Sequence, residues 1–388
     1  MKILLTIPFF YPHKGGAQKY AEELYAHVKK LHPDVHINVL TYNTDNVLAF
    51  EIYRGLNVYR LPCYQIIKGK FVLPKLLPLL KTLRKLNRQK YDYVNSHTAF
   101  FDTTWWAWFF ARKNGAKSIF TGHAPGHPTH QIKAVEIVGK LVHIILGKWA
   151  VGRYDICTYA NRKSKEFFEK HMGAKIGGKI ISVSIDSALF NTTRPQKTFT
   201  NDITISYVGR IIETKGLLYF FDAILSLQQQ VELDTWKRLK FVFAGEGPLV
   251  KQLTILASKH GLSEKFFFPG NLEYAQVADL LKQTDIFVSP SSHAEGLPTT
   301  IMEAGACGCV IVATNSGSIS DVIVNKSTGL LVSMKDSDGI TRALVWALDN
   351  RNEADTLAKN MSQLVLSRYT WEKTAQEFYD FLLTQLPQ

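Results

Sequence analysis

Apolar positions along this chain fall into short runs that alternate with longer stretches of helical period. Residues 2–7 are a β-type run, residues 17–31 repeat apolar side chains at three- and four-residue spacing, and residues 36–42 are a second run. Further strands are expected at residues 57–61, 91–96, 117–121, 156–159 and 180–183. A second series runs through residues 203–208, 240–244, 266–268, 286–289 and 310–313, separated by helical stretches at 216–229, 249–260, 275–283 and 300–306. Strand and helix in strict alternation predict an α/β class with parallel sheets, arranged as two doubly wound, Rossmann-like domains in tandem. The polar stretch 191–201, which contains Pro195, marks the boundary between an N-terminal domain at 1–190 and a C-terminal domain at 201–371. Ligands of such sheets bind beyond the carboxyl ends of the strands, so two domains facing each other place a site in the cleft between them.

Two apolar stretches invite a membrane reading. Residues 1–10 are interrupted by Pro8 and no small-residue cleavage site follows, so they read as a strand rather than a leader. Residues 135–151 carry Glu136, Lys140, His143 and Lys148, too many polar groups for a span, and read as a buried helix. The Trp- and Phe-rich run 105–110 reads as core.

Composition narrows the class. With 388 residues, 46% of them hydrophobic and 20% charged, the chain can bury a large core, which excludes disorder as its main state. Cys63, Cys157, Cys307 and Cys309 form neither a C-x-x-C nor a cluster with histidine, so no disulfide framework or structural zinc is expected, and a reducing cytoplasm fits. The net charge of +13 is unevenly spread: residues 1–190 hold 28 Lys/Arg and 12 Asp/Glu, whereas residues 191–388 hold 18 and 21. All of the excess lies in the first half, which suggests an anionic partner there, whether phospholipid, nucleic acid or a phosphorylated substrate. Within it, residues 66–90 carry eight bases and no acid, with Leu73, Leu76, Leu77, Leu79, Leu80, Leu83 and Leu86 on one half of a helical wheel and Pro78 near the start of the regular helix. Such a face either packs on its own domain or lies on a membrane surface.

Candidate chemistry gathers at strand ends. Gly15 and Gly16 follow the first strand and open a helix, where backbone N–H groups can approach a phosphate. Gly209-Arg210 and, five residues on, Lys215-Gly216 follow the first strand of the second series; a planar fork and a mobile ammonium suit a diphosphate, though a solvated turn has the same composition. Gly245-Glu-Gly247 shapes a tight turn after the next strand. The most specific segment runs from Ser289 to Gly305: a strand ends, a Gly/Pro/Thr loop containing Glu295 follows, and a helix opens at Pro298-Thr299-Thr300 with Glu303 one turn inside it. Two carboxylates eight residues apart can reach different hydroxyls of one ligand.

Together the Gly-Gly-Ala loop, Gly209-Arg210 with Lys215, Gly245-Glu-Gly247 and Glu295-x7-Glu303 resemble the retaining glycosyltransferases of family 4, which have the GT-B fold. The likeness spans nearly the whole chain, including Phe268-Pro-Gly270 and Tyr369-Thr-Trp371-Glu at the opening of a last helix, residues 372–388, which in the family returns to the N-terminal domain. The resemblance implies that Gly16, Arg210 and Lys215 hold the diphosphate of a nucleotide sugar, that Glu303 takes the ribose hydroxyls and Glu295 those of the hexose, and that His123 faces the reacting sugar. It implies transfer of a hexose to an acceptor hydroxyl with retention of configuration, the basic half suggesting a lipid-linked acceptor in cell-surface glycan or glycolipid synthesis and a location at the inner face of the membrane. Arg210 and Lys215 can neutralise the leaving diphosphate, so no metal or other cofactor is expected. The chain departs from the family at Leu297 and Pro298, at Cys307-Gly-Cys309 and at Val183-Ser184. The rival readings are a nucleotide-sugar epimerase, a nucleic-acid-modifying transferase and an inactive partner subunit.

Overall fold

The computed structural model describes residues 1–13, 15–67, 71–124, 126–128, 133–191, 202–293 and 298–386. The chain divides into two compact units, Met1–Val183 with Trp371–Gln388, and Ser184–Thr370.

In the first unit the strands are β1 (Lys2–Thr6), β2 (His36–Tyr42), β3 (Phe50–Tyr53), β4 (Leu56–Leu61), β5 (Cys63–Ile67), β6 (Phe71–Pro74), β7 (Tyr93–His97), β8 (Lys117–Gly122), β9 (Ile156–Tyr159) and β10 (Lys179–Ile180). Eight of them form one sheet in the order β10-β9-β8-β7-β1-β2-β4-β3, parallel except for β3, which pairs antiparallel with β4. Alternation along β1 sends Ile3 and Leu5 to a core shared with the Gly16–Leu31 helix, while Leu4 points to an opposite core containing Val94 and Phe110. A sheet covered on both faces needs the near-continuous apolar runs seen in the sequence. The last helix, Trp371–Gln385, packs beside the first: Phe378 and Leu382 join the same core, and Tyr93 Oη donates to Leu382 O at 2.6 Å.

The second unit carries β11 (Ile203–Val208), β12 (Leu239–Ala244), β13 (Phe266–Gly270), β14 (Ile286–Ser289), β15 (Val310–Thr314) and β16 (Leu330–Val332) in one parallel sheet, ordered β13-β12-β11-β14-β15-β16. The strand order reverses beside β11, so the ends of β11 and β14 form its topological switch point.

Several expectations need correction. Residues 184–190 belong to the second unit rather than the first, because Ile185 N donates to Tyr369 O at 2.9 Å and Phe190 packs on Tyr274. The polar stretch expected at the boundary lies mostly outside the described residues. Residues 135–151 are not one buried helix, although His143, Ala150 and Val151 are buried. They form a helix (Lys133–Val142), a π-helical turn (His143–Gly147) and a further helical turn (Lys148–Val151), with Ile137, Val138, Leu141, Ile144, Ile145 and Leu146 exposed. Nor is the Trp-rich run all core: it lies in the Asp102–Asn114 helix, where Phe110 is buried and Phe109 is exposed. In residues 66–90, a hairpin of β5 and β6 precedes a Leu76–Asn87 helix whose face divides, Leu79 and Leu86 being buried and Leu76, Leu77 and Leu80 exposed. Among the described residues no helix is long and apolar enough to cross a membrane.

Candidate functional site

Three loops at the carboxyl ends of β11, β12 and β14 lock together through their backbones. Gly209 N donates to Ala244 O at 2.9 Å, Ile211 N to Glu246 O at 2.8 Å, and Ser292 N to Thr214 O at 3.0 Å. The loops approach so closely that two glycines have no alternative. At Gly245 (φ +134°) a Cβ would sit 1.9 Å from Gly209 O, and at Gly216 (φ +69°) 1.9 Å from Pro290 O. Arg210 is held exposed on this platform, with Tyr207 Oη donating to Arg210 O at 2.8 Å. Lys215 ends a short 3-10 turn, Glu213–Lys215, and is half-buried. The sequence thus sets the two cations five residues apart on one backbone-locked loop.

The Thr299–Ala306 helix follows β14. Pro298 is its N-cap residue and supplies no side-chain cap, and Thr299 and Thr300 occupy its first turn. Glu303 is buried, and Tyr274 Oη donates to its Oε1 at 3.1 Å. A buried carboxylate held at a sheet's switch point is a strong acceptor for ligand hydroxyls. Glu295 lies outside the described residues. Tyr274 was not singled out by sequence; the Phe268-Pro-Gly270 strand end four residues before it was the available signal.

In the first unit the Gly16–Leu31 helix starts without a side-chain cap and without an acid in its first turn, which leaves its first N–H groups available to an anion. Gly15 is extended, and a Cβ at Gly16 would meet nothing within 4 Å. His123 follows β8, where Ser164 Oγ donates to its carbonyl at 2.6 Å and the Tyr20 ring packs edge-on 4.8 Å away. Its Nε2 lies 2.9 Å from His97 Nδ1. Burial pushes the His123 ring down to about 4, and burial together with the His123 neighbour holds His97 well below its ordinary value. Both rings are therefore neutral at pH 7 and share one hydrogen bond, which couples their tautomers. His97 ends β7, so the strand-end rule applied to that strand would have found it. Gly15, Gln18 and His123 line one cavity of about 840 Å³ within this unit.

The single Asp-x-Asp triplet of the chain, Asp336-Ser337-Asp338, is accounted for locally: Asp336 caps the Ser337–Asp349 helix by accepting from Gly339 N at 2.8 Å. Among the described residues no three His, Cys, Asp or Glu side chains gather as a metal site.

Comparison with known proteins bears on the family and the fold. Residues 190–364 match the model of glycosyl transferases group 1, and residues 14–182 match that of glycosyltransferase family 4. An uncharacterised glycosyltransferase of Methanocaldococcus jannaschii is 21% identical over 97% of this chain and 97% of its own length. The phosphatidylinositol N-acetylglucosaminyltransferase gpi3 subunit of Schizosaccharomyces pombe is 22% identical over 97% of this chain and 80% of its own. Among solved structures, HepE of Anabaena in complex with UDP superposes with a TM-score of 0.76 at 16% identity, covering 99% of this chain and 100% of that one. Sucrose-phosphate synthase of Thermosynechococcus elongatus gives 0.75 at 18% identity, covering 99% and 98%. With both halves matched in order and the fold shared end to end, the chain belongs to the group 1, family 4 type of glycosyltransferases and has the GT-B fold.

Proposed function

We propose that the protein transfers a hexose from a nucleotide-diphosphate sugar to the hydroxyl of a lipid-linked acceptor, with retention of configuration and without a metal, while docked on the inner face of the cell membrane. The observation that carries the donor half is the backbone-locked platform of the second unit, whose first loop carries both Arg210 and Lys215. Breaking the anomeric bond puts charge on the diphosphate and makes the sugar oxocarbenium-like. The two cations and the N-terminus of the Thr299–Ala306 helix stabilise that charge, and the departing phosphate oxygen takes the acceptor proton. Glu303 takes the ribose hydroxyls and Glu295 those of the hexose. The open start of the Gly16–Leu31 helix offers further N–H groups to the diphosphate, and neutral His123 faces the sugar as a hydrogen-bonding group rather than a cation.

Support for the acceptor half comes from the first unit, whose basic surface and exposed Leu76, Leu77 and Leu80 suit a phospholipid surface. The Schizosaccharomyces relative is named for transfer to a phosphatidylinositol, and the Anabaena structures hold UDP and UDP-glucose, so uridine nucleotides are the first donors to try. A panel of nucleotide sugars at a hundred times their dissociation constant should stabilise the protein by about 2.7 kcal/mol. The productive donor is then incubated with phosphatidylinositol vesicles and with polyprenyl phosphate, and labelled product is recovered in butanol. No stabilisation by any nucleotide sugar removes the donor assignment. Product only in the aqueous phase removes the lipid acceptor, and turnover of donor without any acceptor indicates an epimerase.

A further inference from the structure

The cavity of about 840 Å³ in the first unit is lined mostly by apolar side chains. Ile67 and Phe71 of the β5–β6 hairpin line it, as do Phe100 and Phe101 ahead of the Asp102–Asn114 helix and Val138 and Val142 of the Lys133–Val142 helix. Polar groups come to the same space from His13, Gln18, Thr98, His123, His127, Glu136 and His143. A free sugar could bond only to those polar groups and would leave its other hydroxyls against the phenyl rings, and that desolvation is costly. A hydrocarbon chain would not.

The elements that line the cavity also turn apolar residues outward. Leu73 of β6 is exposed, and so are Leu76, Leu77 and Leu80 of the helix that follows it. On the other wall the Lys133–Val142 helix exposes Ile137, Val138 and Leu141, and the π-helical turn adds Ile144, Ile145 and Leu146 in succession while His143 stays buried. Val138 is 60% exposed yet lines the cavity, so the apolar surface continues from the outside to the inside. The same two stretches carry exposed bases, Lys75, Lys81, Arg84 and Lys85 in one and Lys133, Lys140 and Lys148 in the other, with Glu136 the one acid in residues 133–151. Exposed apolar residues on stretches rich in cations complement an anionic lipid surface.

We infer that this cavity holds the hydrocarbon chain of the acceptor lipid, which enters between the β5–β6 hairpin and the Lys133–Val142 helix and leaves its polar end beside His123. The inference rests on the lipid-acceptor reading above. It also identifies a position that decides chain length. A Cβ at Gly139 would lie 3.5 Å from the Phe100 ring and 3.8 Å from Pro128, in ordinary contact, so any larger side chain there projects among the cavity walls.

The test uses n-alkyl phosphates of increasing chain length as probes, below their micelle concentrations, with calorimetry on the full chain. Affinity should rise roughly fourfold per methylene, the value of one buried CH₂, until the cavity is full. Gly139→Phe should abolish that rise while leaving nucleotide binding unchanged, and Gly139→Leu, a good helix former, serves if the larger variant does not fold. An affinity independent of chain length, or an undiminished rise in both variants, overturns the inference. The two readings fail separately. Transfer to lipid undisturbed by Gly139→Leu sinks the cavity assignment and leaves the lipid acceptor standing, whereas product made by wild type only on water-soluble acceptors sinks the acceptor reading itself.

Discussion

Replacing Gly216 by alanine tests whether the second unit's loops are locked as tightly as their geometry says. The residue has φ +69°, and its Cβ would be placed 1.9 Å from Pro290 O, a backbone atom that no rotamer change can move. The left-handed backbone alone costs an alanine about 1–2 kcal/mol. Relieving the clash must also move the 290–292 segment by more than 1 Å, which breaks the bond from Ser292 N to Thr214 O and loosens that from Ser292 Oγ, roughly another 1–2 kcal/mol. A total near ~3 kcal/mol should lower the melting point of a unit this size by about 6–12 °C. Gly261 supplies the control, since it has φ +68° with nothing within 4 Å of its Cβ, so Gly261→Ala meets the backbone penalty without the clash. Scanning calorimetry of both variants separates the two contributions. Equal losses would mean that the loops are not in contact, and the rigidity assigned to Arg210 and Lys215 would go with it.

Arg210→Ala and Lys215→Ala should each lower turnover at least about a hundredfold with little effect on folding, and near-normal transfer by the folded double mutant contradicts their role on the diphosphate. Transfer should persist in EDTA; loss restored by Mg²⁺ or Mn²⁺ shows a metal is needed. Glu303→Ala should weaken binding of the nucleoside diphosphate itself by about tenfold or more, whereas Glu295→Ala should impair only the complete sugar donor, and calorimetry giving equal losses for both rules out the division of labour. Because burial pushes His143 down to about 4 from an ordinary 6.5, its contribution to stability is complete above pH 6.5 and is lost as the pH falls towards 4, up to about 3 kcal/mol. Urea unfolding of wild type and His143→Gln across that window checks it, with parallel curves refuting the assignment. Lys81, Lys85 and Arg88 are exposed, and converting all three to Glu should release the protein from acidic liposomes at low salt while donor binding is kept; equal sedimentation of both proteins assigns the charge excess another purpose.

Much of the fold was legible because a parallel sheet covered on both faces must be built from unbroken apolar runs. Ile203–Val208 and Ile286–Ser289 could hardly be anything else, and the glycines after them marked where backbones meet. What escaped were elements whose pattern owes little to such a sheet. Phe50–Tyr53 is an edge strand with one exposed face, β5 and β6 form a small separate hairpin, and the Ser337–Asp349 and Arg351–Arg368 helices bury narrow faces of mostly small side chains. Residues 135–151 misled for a different reason. Apolar content measures a preference for leaving water, and it cannot say whether the rest of the chain supplies the cover. At the candidate site, the charged and glycine positions stood out in the sequence but took their roles from the family resemblance, whereas His97 and Tyr274 gain their meaning only from side chains 26 and 29 residues away.

The chain passes from the first unit to the second after Val183 and returns at Trp371. In sequence terms the second unit is an insertion, and this orders events on the ribosome. The core around Ile3, Leu24 and Val28 stays open until Trp371, Phe378 and Leu382 have been made, while the inserted unit, contiguous in sequence, is complete before them. The domain translated first is therefore the last to close, and it waits with an uncovered apolar face for as long as some two hundred further residues take to emerge, about 10–40 s at ordinary elongation rates. A nascent chain of this design depends on its C-terminus for the integrity of its N-terminus, so a premature stop anywhere in the final helix would leave the second unit whole and the first unfinished.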